Sequence, residues 1–168
     1  NLYSDNIRYS IIGEKGASRI EGYKKSLDEA KKLDEQGVDT DIIEKQTGWY
    51  KNSESQWKMF SNDYLESFKT KILKPTDVNK ELKLTDVLED SIIFDIYPEY
   101  KDINVVIYDK TYKNFRGGLD KINGGIGQKE GRTYIYARID NPDGKSVENI
   151  LGHELTHKNQ SIEGFASG

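Results

Sequence analysis

Apolar positions recur along this chain with changing periods, and the changes of period mark out its elements. Between residues 17 and 36, Ile20, Tyr23, Leu27, Ala30 and Leu33 follow one another at steps of three and four. That spacing predicts a helix with one apolar stripe facing a core. Leu27, Glu29, Ala30, Lys31, Lys32 and Leu33 are strong helix formers, and Gly37 stands where the helix would stop. Asp39 or Thr40 is placed to cap a second, shorter helix through Ile42, Ile43 and Gln46, ending near Gly48. Two aromatic runs then flank a polar centre between Trp49 and Phe60, which predicts a hairpin with Trp49 and Trp57 packed together. Ahead of all this, Tyr3, Ile7, Tyr9, Ile11 and Ile12 predict a short strand or an arm on a neighbouring surface. It would close at the turn-prone Gly13-Glu14-Lys15-Gly16.

The second half alternates differently. Residues 62 to 74 predict a helix stopped by Pro75, and residues 83 to 100 a helix pair that starts at Thr85 and is interrupted at Pro98. Ile103-Asn104-Val105-Val106-Ile107-Tyr108 is β-branched and apolar, as a buried strand is. Gly117-Gly118 and Gly124-Gly125-Ile126-Gly127 predict a flexible loop. No Gly-Lys-Ser/Thr follows, and the next element, Thr133 to Ile139, alternates like a strand, which argues against a phosphate loop. Asn141-Pro142-Asp143-Gly144 is a turn, and Ser146 can cap a final helix through Val147, Ile150 and Leu151. The expected class is α+β. An N-terminal helical and hairpin segment (1–62) precedes a domain (63–168) in which a small sheet packs on the last helix.

Composition narrows the partners. Charged residues make up 32% of the chain, yet the net charge is -4, so no clustered basic face is on offer to nucleic acid. Cysteine is absent, which removes disulfides, thiolate nucleophiles and Cys-based zinc sites. No stretch reads as a signal peptide or a membrane span, so no membrane partner is expected. The chain opens on Asn1, as a fragment of a longer protein would.

The chemistry concentrates in one place. The chain has two histidines, His153 and His157, four residues apart, and Glu154 directly follows the first. On a helix, positions i and i+4 share a face, so both imidazoles can grip one ion while Glu154 reaches a metal-bound water. This is the His-Glu-x-x-His pattern of two Zn2+ ligands and a general base; a chance match is on the order of one in a thousand. Water at neutral pH is a poor nucleophile, and zinc together with a neighbouring carboxylate removes that barrier. A catalytic zinc usually takes three protein ligands. Glu163, six residues after His157, is the favoured third, provided that the helix ends near Gln160 or Ser161; Glu148, Asp140 and Asp143 compete for the position. Gln160, near the same face, is expected to orient a ligand or substrate from behind.

The run from Leu151 to Ala166 resembles the metallopeptidase-like module of large polyvalent proteins from phages and mobile elements, which carries a His-Glu-x-x-His-x-x-Gln-x-x-Glu-Gly-Phe-Ala pattern. Arg8-Tyr9-Ser10-Ile11 with Gly13-Glu14-Lys15-Gly16, Thr47-Gly48-Trp49-Tyr50 with Gln56-Trp57-Lys58, and Tyr97-Pro98-Glu99-Tyr100 resemble segments upstream of that module. The resemblance implies a zincin-like fold and a zinc-dependent peptidase that marks His153, Glu154, His157, Gln160 and Glu163. It also implies a protein or peptide substrate, the parent polyprotein among the candidates, and a chain that is cytoplasmic or delivered with a phage or mobile element. The alternative is a non-catalytic, zinc-stapled module of a phage-borne or toxin-like multidomain protein. The one methionine, Met59, lies far upstream, so no methionine turn follows the motif.

Overall fold

The computed structural model describes residues 10–71, 73–89, 92–113 and 123–166. Its N-terminal part is built on a three-stranded antiparallel sheet. β1 (Ile11–Gly13) and β2 (Trp49–Lys51) both pair with the central β3 (Trp57–Phe60). The expected hairpin is β2-β3. Trp49 lies opposite Met59 and Trp57 opposite Lys51, so the two indoles are diagonal neighbours on the buried face. Trp49 also donates its indole N–H to Ser26 Oγ at 2.9 Å. Gly13 to Gly16 does more than turn, because Glu14–Ala17 forms a short helix, α1. The amphipathic stretch forms α2 (Glu21–Glu35), and α3 (Thr40–Thr47) ends at Gly48, where φ is 82°.

Two expected helices are cut short. α4 covers only Asn62–Glu66, capped by Ser61, whose hydroxyl accepts from the Tyr64 N–H. Beyond it the backbone satisfies itself by strand-like pairing: Thr70 bridges Leu88, and Lys71 N–H donates to the Val87 carbonyl. The region expected as a helix pair follows a strand, β4 (Glu81–Lys83), and holds two short helices, α5 (Leu84–Val87) and α6 (Ile93–Ile96), and a 3-10 turn (Pro98–Asp102). Asp86 draws the start of α5 forward to Leu84 by accepting the Lys83 backbone N–H at 3.1 Å.

The second sheet is mixed, in the order β4-β5-β7-β6. Its centre is β5 (Asn104–Tyr108), buried at every position, running parallel to β7 (Arg132–Arg138). The glycine-rich stretch is not wholly a loop. Gly124–Lys129 is strand β6, antiparallel to β7 and at the edge of the sheet among the described residues. Gly117 and Gly118 lie outside those residues.

The last helix, α7 (Val147–Glu163), starts at Ser146, whose hydroxyl accepts from the Asn149 N–H, and ends at Gly164 in the left-handed conformation. It packs on β7 and β6 along one side and on α1 at its far end. One buried cluster runs from Ile12 through Trp49, Tyr97 and Ile135 to Leu155, so a single core crosses the boundary drawn between residues 62 and 63. The class is α+β. Among the described residues no helix is long and apolar enough to cross a membrane.

Candidate metal centre and its cleft

α7 is amphipathic in an unusual way. Ile150, Leu151 and Leu155 are buried in the core, and His153 and His157 emerge on the exposed side. The two imidazoles stand together one turn apart, ring centroids 5.0 Å from each other and planes at 89°. Helical spacing alone produces that proximity, since i and i+4 side chains leave the same face. Neutral imidazole is a good ligand for a divalent transition metal, and an exposed pair leaves room for water or substrate beside it.

Glu154 differs from its neighbours. It is 7% exposed, turned inward by the helical rotation, and it lines a cleft with His153. Burial pushes its carboxyl above the ordinary carboxylate range, and the nearby His157 works in the opposite direction. A carboxylate whose proton affinity is raised this way is better matched to accept and return a proton near neutral pH.

The cleft has a volume of about 160 Å3 and is bounded by Asn123 and Gly124 from β6 and its lead-in, Lys145 just ahead of α7, and Asn149 and Ile150 from its first turn. Gly124 explains why a strand here is rich in glycine. A Cβ at this position would lie 2.5 Å from Ile150 Cγ2 and 2.5 Å from the Tyr136 carbonyl oxygen. Only glycine lets the sheet edge press this closely on the helix that carries the histidines.

Glu163 does not join them. The condition for a ligand role was that the helix end near Gln160 or Ser161, and α7 continues to Glu163 itself. At about 100° per residue, that places Glu163 roughly 120° round the helix from His157. Its two carboxylate oxygens accept the backbone N–H groups of Lys15 and Gly16, each at 2.9 Å, and the Tyr97 hydroxyl at 2.7 Å. Gly13 makes space for this contact: a Cβ there would fall 2.6 Å from the Glu163 carboxyl and from the Phe165 ring. Glu163 is thus the clasp that closes the C-terminal end of α7 onto the first turn of the structure.

The other candidate ligands are engaged elsewhere too. Glu148 accepts from the backbone and hydroxyl of Thr70, Asp140 accepts from Arg138 and from the Lys110 N–H, and Asp143 accepts from Asn123 at 2.7 Å. Among the described residues, no group of three His, Asp or Glu side chains forms a metal cage. The His pair thus stands without a third His, Asp or Glu partner for a metal among the described residues. Gln160 lies near the His face, as expected, and its Oε1 is buried without a hydrogen-bond partner among the described residues.

Several residues that shape the site were not singled out as site residues in the sequence. Tyr97, Tyr64 and Tyr100 are buried beneath α7. Tyr97 holds Glu163, and Tyr100 donates to the Leu155 carbonyl at 3.3 Å. Burial pushes all three phenols up, Tyr64 to about 12, so they stay protonated and remain donors. Asn159 is buried and donates to the Ile11 carbonyl, tying α7 to β1. Asn104 Nδ2, buried without a hydrogen-bond partner among the described residues, has no role that we can assign.

No curated protein and no solved structure matches the chain. Residues 9–69 match the family model described as Large polyvalent protein associated domain 23. The match covers β1 to α4 and leaves α7 outside, so the N-terminal part of this chain is similar to a domain found in association with large polyvalent proteins.

Proposed function

We propose that this chain is a zinc-dependent metallopeptidase with a zincin-like arrangement, in which His153 and His157 hold the ion and Glu154 is the general base. The observation that carries the reading is the geometry of α7. Two exposed imidazoles stand side by side, and a buried, proton-affine carboxylate lies next to the first of them at the mouth of a cleft. Zinc, when bound, would lower the pKa of its water and polarise the scissile carbonyl. Glu154 would take the proton from that water and pass it to the leaving amine. β6 starts at the cleft, which Gly124 lines, and its outer edge is unpaired among the described residues, so its backbone N–H and C=O groups can align an extended peptide by strand addition.

Two protein ligands leave the rest of the coordination shell to solvent, to substrate or to a residue beyond those described. Such a site binds zinc less tightly than one with three protein ligands, so the ion is expected to leave on dialysis against a chelator and to return on titration. The zinc-stapled alternative is disfavoured by the same geometry: two ligands one turn apart on a single helix tie no separate segments together. The test is zinc titration monitored by a competing chromophoric chelator. One zinc per chain is expected, with binding lost in His153→Ala and in His157→Ala. Undiminished zinc binding in both variants would remove the assignment.

A further inference from the structure

The His pair forms a ridge with space on both sides. Ile150 and Glu154 fall on the cleft side of it, and Thr156, Asn159 and Gln160 on the other, as about 100° per residue dictates. On that second side lies a separate groove of about 170 Å3, lined by Ile11, Lys58, Thr156, Gln160 and Phe165 among others. Its walls come from both ends of the chain, the N-terminal sheet and the tail of α7.

Two polar groups lining this groove have no hydrogen-bond or ion-pair partner among the described residues. The Lys58 ammonium sits 4.4 Å from the centre of the Phe165 ring, which fixes its position, and no carboxylate lies within ion-pair reach of it among the described residues. Glu163, close by, is already taken by Lys15, Gly16 and Tyr97. Gln160 Oε1 is buried and receives no hydrogen bond among the described residues. Asn159 is committed to Ile11 and Tyr97, and the Thr156 hydroxyl donates to the Gly152 carbonyl. The groove therefore calls for a carboxylate opposite Lys58 and methylenes against Ile11 and Phe165. An acidic residue within a peptide has both: a charged end and an aliphatic stem.

On the reading of α7 as a peptide-hydrolysing site, we propose that this groove is a specificity subsite that takes an acidic side chain of the substrate. Lys58 pairs with its carboxylate, and Ile11 and Phe165 pack against its stem. The substrate class is then peptides with an aspartate or glutamate close to the scissile bond. Lys58 belongs to the stretch similar to the polyvalent-protein domain, so that stretch takes part in substrate choice as well as in the fold.

The test reads binding, so it does not depend on turnover. Fluorescein-labelled, C-terminally amidated decapeptide pools carry Glu, Gln or Lys at one fixed central position. They are titrated against the zinc-loaded Glu154→Gln protein by fluorescence anisotropy. The Glu pool is expected to bind about tenfold tighter than the Gln pool, in the range of a partly buried charge pair. Adding Lys58→Met, which keeps the aliphatic stem, should erase the difference. Equal affinity for the Glu and Gln pools overturns the proposal, as does a preference that survives Lys58→Met. Binding seen only with free-acid peptides would assign the groove to a chain terminus and also overturn it. The same pools incubated with the wild-type protein separate the two readings. A Lys58-dependent Glu preference without cleavage would keep the subsite and refute hydrolysis, whereas cleavage indifferent to Glu would do the reverse.

Discussion

Single side chains of α7 carry opposite duties, and substitution separates them. Glu163 accepts three hydrogen bonds and holds the helix to Lys15, Gly16 and Tyr97. Glu163→Ala is expected to cost about 3 kcal/mol, since three hydrogen bonds to an ionised acceptor are lost and the buried Tyr97 hydroxyl keeps only its longer contact, to Asn159 Oδ1 at 3.4 Å. Thermal unfolding should move down by on the order of 10 °C, while zinc affinity stays within twofold of wild type. A collapse of zinc binding in a folded Glu163→Ala protein would restore it as a ligand. Glu154 makes the opposite case. Its carboxyl is raised above its ordinary value of 4.5 by burial, so the fold favours the protonated form. Stability linked to this group is fully present below that ordinary value and is lost as pH rises through the raised one. In metal-free protein, Glu154→Gln is therefore expected to melt higher than wild type at pH 7.5, with the gap closing at pH 4. A gap of the same size at both pH values would contradict the buried placement.

The elements show which signals are local and which are not. The α2 stripe, the Ser146 cap and the apolar run of β5 were legible because each depends on neighbours in sequence: helical spacing, a hydroxyl three residues before the amide that donates to it, a β-branched run. The histidine pair was legible for the same reason, since i and i+4 face one way on any helix. β6 was not legible. Its glycines read as a loop, and the reason that they form a strand is Ile150, which the fold brings under Gly124 from the far side of a turn. The full length of α7 was also misjudged, because the acceptor role of Glu163 depends on residues near the other end of the chain. Gly124→Ala tests the first of these. The added Cβ would meet a backbone oxygen as well as a side chain, so rotamer changes cannot relieve it. A loss of about 1–3 kcal/mol in urea unfolding is expected, and an unchanged midpoint would mean that β6 does not lie against α7 as described.

At the scale of the whole molecule, the N-terminal segment and α7 form one structure. Asn159 bonds to the Ile11 carbonyl, Gln56 donates to the Gly164 carbonyl at 2.8 Å, and the buried cluster continues from one to the other. A fragment of residues 10–69, cut from that cluster, is expected to show no cooperative thermal transition by circular dichroism; a sharp two-state melt would show that it folds alone. The same closure sets the His pair between a cleft and a groove. The most direct measurement is the rate at which zinc-loaded protein cleaves a mixed peptide library, compared with Glu154→Gln at equal zinc occupancy. Cleavage by the wild type is expected, with a fall of about a hundredfold or more in the variant with zinc retained. Equal rates in the two proteins, or no cleavage by either at full occupancy, would contradict that expectation.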